Sequence, residues 1–551
     1  MYQRSAMRTA WACAMLALSL TGASACQGPD PGLVEALEAV TPALLKSHVR
    51  FLSDDLLRGR DTNDRGFEIA KEYVASQFGR MGLVPFDGSS YLQAFDLLEA
   101  VADLGSELRV ADLRLREPDA RFEPDWFEGS ASWTGEGVYV GYGLATHGRD
   151  DYAGADVSGK AVFLLRGEPD DWYSDRNKAR ASNAAVEIAI RRGASVVIQL
   201  STPRDPAAVR TPPPPGNPRR VLTLADGTSP RVRAHATVTA GGSWRLLEAW
   251  GVDPGEAITV ADVGESPGLP VGQVSLTRTH RLEPVRSWNV VGIVPGADPE
   301  QREESIVFTA HLDHVGIGPP NSEGDSINNG AHDNAIGTAK LMASAEAMVR
   351  LQPRRSIVFA AVGAEERGLL GSWHYVRNPV FPIESVVANI NQDGGREGVP
   401  TEDVIDNAAD LSDMGRIVRA VLAEVGVGVM DRDRALTSLV GFSSDHYPFL
   451  LAGVPAIDLK PGHTVAGDWQ IGLADRLRYY DEWRHRPADN FNEQTFTMES
   501  TAEMAKRAVL LAWHLSEMEG MPAMDPEHPI YRERATPSEP YYFGPDYRFG
   551  R

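Results

Sequence analysis

Three near-continuous apolar runs in the second half of the chain constrain its fold more than any other feature: Ser305–His311 (SIVFTAH), Arg354–Glu366 (RRSIVFAAVGAEE) and Ser385–Asp393 (SVVANINQD). A strand with one wet face alternates apolar and polar residues, whereas an unbroken apolar run is buried on both faces, as in a parallel sheet covered by helices. Segments with helical spacing accompany them, 335–351 (AIGTAKLMASAEAMVRL) and 500–518 (STAEMAKRAVLLAWHLSEM), both read as amphipathic. The strand, loop, helix rhythm predicts an α/β fold with a mostly parallel central sheet flanked by helices. Each run ends in charged or metal-capable residues, and open α/β sheets build their sites beyond the carboxyl ends of the strands.

The rest of the chain divides by character. Arg4 and Arg8, the apolar run Trp11–Leu20 and the small residues up to Ala25 predict a secretory signal peptide over 1–25. Cleavage there leaves Cys26 first, which resembles a bacterial lipoprotein site, although Ala23 stands where Leu is usual. The expected location is extracytoplasmic: secreted, periplasmic or an outer-membrane lipoprotein, with a lipid on Cys26 as the single expected membrane attachment. Residues 26–96 read as helical, with Gly82 and Pro85 closing the second long helix and Leu57-Arg58-Gly59-Arg60 a loop. Residues 97–284 read as a β-rich insertion, with short runs at 137–140, 161–165 and 195–198, one helix over 177–193, and a solvated proline run at 211–216. The part that carries the three apolar runs follows over 285–520, and an irregular Pro- and Tyr-rich tail over 521–551.

Charge and cysteine content narrow the chemistry. With 54 Lys+Arg against 76 Asp+Glu, the formal net charge of −22 argues against a nucleic-acid partner, which needs a basic face. Both cysteines, Cys13 and Cys26, lie at the N-terminus, so any metal must sit on His, Asp and Glu.

Five clusters carry such residues. In Ala310–Gly316 (AHLDHVG), residues two apart at a strand end face the same side, so the Asp313 carboxylate is placed to orient His311 through its far ring nitrogen, with His314 a weaker second partner. In Gly330–Gly337 (GAHDNAIG), Asp333 opens a helix, where alone it would be an ordinary cap. In Gly363–Ser372 (GAEERGLLGS), adjacent carboxylates repel unless a cation takes one, which implies one Glu on metal and one moving protons. Asp393 ends another apolar run. His485 lies in a loop with Asp489 four residues on, placed to support it. Singly these read as a solvated acidic turn or a surface histidine. Together they supply nitrogen and oxygen donors for two neighbouring divalent ions around a bridging carboxylate.

In that order, His311-Leu312-Asp313, Asp333-Asn334, Glu365-Glu366, Asp393 and His485-x-Pro-x-Asp489 resemble the M28 family of two-zinc peptidases. The resemblance extends to 52–60 (LSDDLLRGR), 442–449 (FSSDHYPF) and 452–456 (AGVPA), and covers about Val49 to Leu515. The insertion looks like a protease-associated (PA) domain. What the resemblance implies is a fold of the zinc-dependent exopeptidase type, peptide or protein substrates, and aminopeptidase activity with two zinc ions. It makes His311, Asp333, Glu366, Asp393 and His485 the ligands. Asp333 would bridge, with Glu366 and His485 on one ion and His311 and Asp393 on the other. Glu365 becomes the general base and Asp313 the residue orienting His311. His332 stands where many members carry Asp, and Gly394-Gly395 where the family often has Met and a bulky residue. His332, Asp445, His446 and Asp489 are expected to line or support the site.

Other readings are weaker. Ser444-Asp445-His446 holds the letters of a hydrolase triad, but contiguous side chains do not converge on one atom. No H-E-x-x-H occurs, which disfavours a helical single-zinc protease. A non-catalytic, receptor-like member of the fold would be marked by lost ligands, and none of the five is lost. Glutaminyl cyclisation on a similar one-zinc scaffold is disfavoured by the intact Asp333 and Glu366.

Overall fold

The computed structural model describes residues 30–103, 105–124, 129–146, 149–167, 185–186, 188–202, 220–226, 235–265, 268–430 and 444–526. The expected signal peptide, Cys13, Cys26, the proline run and nearly all of the C-terminal tail lie outside them. The chain forms two compact units, one built from residues up to Phe95 and from Arg286 onward, the other from Asp96–Val285.

In the first unit the apolar runs are strands Ser305–His311, Ser356–Val362 and Val386–Asn391, every residue of them buried. With Ala456–Pro461 they lie side by side in the order 356, 305, 386, 456, all parallel. Antiparallel strands flank them: the end of His280–Val294 on one side, Asp403–Asn407 on the other. The sheet is thus mixed at its edges and parallel where it carries the site.

Helices Pro31–Ala39, Pro42–Leu52 and Arg65–Met81 precede the sheet. Each starts on a capping side chain, Asp30, Thr41 and Asp64 accepting from backbone amides. The third ends on Gly82 at φ 81°, a left-handed cap that glycine adopts without strain. Segment Asp55–Arg60 is a kinked 3-10 turn with Arg58, Gly59 and Arg60 at positive φ.

Helix Ile336–Met348 differs from expectation. It is buried almost all round, Glu346 alone being partly exposed, and is packed against the sheet and against helices Pro42–Leu52 and Glu499–Glu517. Its many Ala, Gly and Ser residues let neighbours approach on every side, so the segment is a core helix and not an amphipathic one. Glu499–Glu517 keeps a partly exposed face.

The second unit contains an eight-stranded sheet whose middle strands, Ala131–Tyr139, Ala161–Leu165, Val196–Leu200 and Ala236–Val238, are parallel. Helices Ala240–Ala249 and Pro254–Asp262 follow, so this unit carries more helix than the short β-like runs suggested. Of the helix expected over 177–193, the described residues 185–186 and 188–191 are helical.

Candidate metal centre

The side chains singled out in the sequence meet at the carboxyl ends of the parallel strands. His311 is the last residue of its strand; Glu365 and Glu366 sit in the turn after Val362, and Asp393 two residues beyond Asn391. Asp333 lies in the turn ahead of helix Ile336–Met348. Asn334 ties that turn to the Asp393 loop: its Oδ1 accepts from Gly337 N at 2.9 Å and Gly394 N at 2.8 Å, and its Nδ2 donates to Gln392 O at 3.3 Å. A Cβ on Gly337 would stand 2.0 Å from both Asn334 Oδ1 and Gln392 O, so this close approach requires glycine.

Asp333 is shared by two groups of donors. Its Oδ1 is 3.2 Å from His311 Nε2, which is 3.4 Å from Asp393 Oδ1. Its Oδ2 is 3.3 Å from His485 Nε2, which is 3.2 Å from Glu366 Oε1. His314 joins this second group, with Nδ1 at 2.8 Å from Glu366 Oε1.

These distances test whether metal ions fit. Donors about 2.0–2.1 Å from a tetrahedral zinc ion are roughly 3.3–3.4 Å apart, and the His311 and His485 pairs lie within 0.2 Å of that spacing. His485 Nε2 is buried yet hydrogen-bonded to neither carboxylate it approaches. An orphaned ring nitrogen between two carboxylate oxygens suits a cation between them, so the donor set fits two divalent ions sharing Asp333.

Glu365 is half-buried and, among the described residues, its carboxylate forms no hydrogen bond. Burial, reinforced by the charges of Glu366, Asp445 and Asp393, raises its proton affinity well above the carboxylate range, although His311 opposes this.

Two expected supports are differently arranged. His311 Nδ1 is met by the main-chain oxygen of Asp313, at 3.0 Å, and not by its carboxylate. The fully buried Asp313 carboxylate turns instead to the Glu365 and Glu366 amides, at 3.0 and 3.3 Å, and to the Thr62 hydroxyl at 3.2 Å. Amide donors left over by the strand-end turn outcompete a ring already served by a carbonyl.

Asp489 supports not His485 but the turn of Asp333. It accepts from the amides of His332 and Asp333, at 2.9 and 3.2 Å, and from His332 Nδ1 at 2.7 Å. His332 belongs to neither donor group: its Nε2 meets Glu397 at 2.9 Å. Burial alone would lower the His332 pKa, but Asp489 and Glu397 together push it up to about 10, while Glu397 is drawn down to about 2. Asp445, fully buried, accepts from Ser372 Oγ at 2.6 Å, and burial pushes its carboxyl up to about 7. His446 is fully buried at the start of helix His446–Leu451.

Other neighbours were given no role at the site from the sequence. Tyr479 Oη donates to Asp333 Oδ2 at 3.3 Å, Arg484 Nε lies 3.6 Å from the same oxygen, and Lys460 Nζ is 3.4 Å from Asp393 Oδ2. The buried Arg60 guanidinium donates to main-chain oxygens of Leu52, Leu312, Asn329 and Gly330. Arg484, beside His485, had a positional signal. Arg60 ends the 52–60 segment noted in the sequence, with no role assigned to it there; Tyr479 and Lys460 sit next to no metal-capable motif and show only once the chain is folded.

Residues 289–511 match the family model described as Peptidase family M28. The chain carries a peptidase family M28 domain. All five expected ligands and Glu365 lie within it. A probable zinc metalloprotease of Leptosphaeria maculans is 27% identical over 274 residues, 43% of this chain and 59% of that protein. Aminopeptidase YwaD of Bacillus subtilis is 27% identical over 208 residues, 37% of this chain and 40% of that protein. The matches thus span less than two thirds of these relatives. Among solved structures, the aminopeptidase from Aneurinibacillus sp. strain AM-1 shares the fold, with TM-score 0.51 and 18% identity, over 90% of this chain and 98% of that one.

Proposed function

We propose that this chain is a zinc-dependent aminopeptidase that hydrolyses peptide bonds with two metal ions and a glutamate general base. The observation that carries the reading is the sharing of Asp333 between two donor groups at ligand-like spacing, with an unbonded Glu365 beside them. The M28 match and the names of the relatives support it. His311, Asp333 and Asp393 would hold one ion and Asp333, Glu366 and His485 the other. Ions bound there would polarise the scissile carbonyl and make water a stronger acid.

The chain's own groups do the rest. Asp313 clamps the amides of Glu365 and Glu366, so the two adjacent carboxylates are aimed by the main chain in different directions. Glu366 turns toward His485 and His314; Glu365, bound to nothing, takes the proton of the attacking water and returns it to the leaving amine. We read the Asp96–Val285 unit as the PA-type insertion, and the basic, apolar and small-residue pattern of residues 1–26 as export, with Cys26 as a lipidation site.

Hydrolysis of peptides with free and with blocked N-termini, each with and without a zinc chelator, tests the reading. Release of N-terminal residues from free peptides alone, abolished by the chelator, is expected. Cleavage of blocked peptides from the carboxyl end, or activity indifferent to chelation, overturns it.

A further inference from the structure

Helix Trp469–Arg478 and the turn Tyr479–Trp483 that continues it lead into the metal centre. The Arg484 amide closes the turn on Tyr479 O at 2.8 Å, and the next residue is the proposed ligand His485. Residues four apart share one side of a helix, so Arg476, Tyr480 and Arg484 form a row. Contacts run along it. The Arg476 guanidinium lies 5.9 Å from the centre of the Tyr480 ring, Tyr480 meets Tyr479 edge-on at 5.3 Å, and the Tyr479 hydroxyl donates to Asp333. At the inner end, Arg484 Nε stands 3.6 Å from the same Asp333 oxygen.

The arginines of this segment fall into two classes. Arg478 meets Asp475 at 3.1 Å and lies over the Trp483 ring, and Arg486 donates to Asp481 O. Arg476 and Arg484 have no such partners. Nε and Nη2 of Arg476 are buried without an acceptor, and the Arg484 side chain donates no hydrogen bond among the described residues. Nearby carboxylates are committed elsewhere or turned away. Asp475 already serves Arg478 and Arg396, Asp333 is the carboxylate shared by both donor groups, and the exposed Asp481 and Glu482 pair with neither guanidinium. Burying charged donors without an acceptor is costly, and water does not reach the two buried nitrogens of Arg476. A guanidinium with free donors presents a planar fork that fits a carboxylate.

We propose that Arg476 and Arg484 form an anion-recognition site beside the metal centre, which selects peptides with an aspartate or glutamate next to the scissile bond. The substrate carboxylate supplies the acceptors that the chain itself withholds from the two guanidinium groups. The proposal rests on the peptidase reading and adds the substrate class to it. The acidic residue is first or second in the peptide, and the two positions are separate arms of the test.

Each acidic peptide is compared with its isosteric amide: Glu against Gln and Asp against Asn, in the first position and, separately, in the second. In the zinc-loaded full chain, kcat/KM should favour the acid over its amide by about 10–100-fold at one of the two positions, chiefly through KM. Arg476→Met and Arg484→Met should each cut that ratio by about ten-fold, and Arg484→Lys should keep part of it. Arg476→Glu should reverse the preference, so that Lys replaces Glu as the favoured residue. A reversal does not arise from a general loss of folding, and zinc content measured for every variant separates a loss of metal from a loss of selectivity. Calorimetric binding of the same peptides to the inert Glu365→Gln variant, with and without Arg476→Met, reads the site without turnover. Equal kcat/KM for acid and amide at both positions overturns the inference, as does a preference that survives Arg476→Met and Arg484→Met alike. If wild type hydrolyses no peptide, the peptidase reading fails, and the calorimetric ratio of acid to amide still decides whether the arginines hold a carboxylate.

Discussion

Replacing Arg60 should loosen the metal centre without touching any candidate ligand. Its guanidinium is 1% exposed and donates to four main-chain oxygens: Leu312 at 3.0 Å, Asn329 at 2.7 Å, Gly330 at 3.1 Å, and Leu52. Gly330 O has a second donor in the Ala335 amide; the buried oxygens of Leu52, Leu312 and Asn329 have no other hydrogen bond among the described residues. A buried acceptor left without a partner costs about 1–3 kcal/mol. Arg60→Met strands three of them and should cost about 3–9 kcal/mol, a large share of the roughly 5–15 kcal/mol that holds a domain together. Arg60→Lys keeps the charge but not the planar fork, so it serves fewer of the carbonyls and should lose about half as much. Hydrogen exchange measured by mass spectrometry reads the effect locally. Amides of the His311–Gly316 and Asn328–Asp333 segments, whose ends Arg60 joins, should lose protection in both variants before the rest of the unit does. Urea unfolding supplies the total. If Arg60→Met unfolds within about 1 kcal/mol of wild type, with exchange in those two segments unchanged, the carbonyls are satisfied some other way and the argument fails.

Two further outcomes follow from single side chains. Glu365→Gln should abolish turnover while zinc content, measured by elemental analysis, stays near the wild-type value; retained hydrolysis would remove Glu365 from the general-base role. His48 is buried with Nδ1 against Tyr73 Oη at 2.9 Å, and burial, aided by the nearby charge of Arg80, lowers its pKa from 6.5 to about 4. The folded state then binds fewer protons than the unfolded one between those values. Stability from this group is full above about pH 6.5 and is lost as pH falls towards 4, by about 3 kcal/mol. His48→Gln should remove about one proton's worth of slope from the unfolding free energy between pH 4.5 and 6; an unchanged slope refutes the assignment.

How far the molecule could be read from its sequence depended on the range of the interaction involved. The parallel strands were legible because double-sided burial leaves a local mark, an unbroken apolar run, and because the polar residues that end each run must lie at the sheet's carboxyl edge. Helix Ile336–Met348 was misread in character because small residues blur the distinction between a half-buried helix and a wholly buried one. The antiparallel flanks were not legible, since edge pairing depends on which strands meet and not on their composition. The partnerships of Asp313 and Asp489 were misassigned for a related reason. Both were matched to a histidine a few residues back in the sequence, yet the stronger demand on a buried carboxylate at a strand end comes from unpaired backbone amides, which sequence does not display. Glu397, Lys460 and Arg60 act on the site from distant parts of the chain, Arg60 across more than 250 residues, and no spacing rule reaches that far.

The same contrast explains why the turn around Asp333 carries so much of the architecture. A carboxylate that serves two donor groups must hold both oxygens in fixed directions, and no regular element does this by itself. Here four restraints converge on it: Asp489 on its amide, Asn334 tying the turn to the Asp393 loop, Gly337 letting that loop come within contact, and Arg60 on the carbonyls of residues 329 and 330. The partners in these restraints come from the Asp489 loop, the Asp393 loop and the Arg60 turn, so the geometry of the centre is set only when all of them have packed. The five proposed ligands name the chemistry, but the groups that make it stiff are backbone amides, carbonyls and a glycine, and a substitution among those should weaken metal binding while leaving every ligand in place.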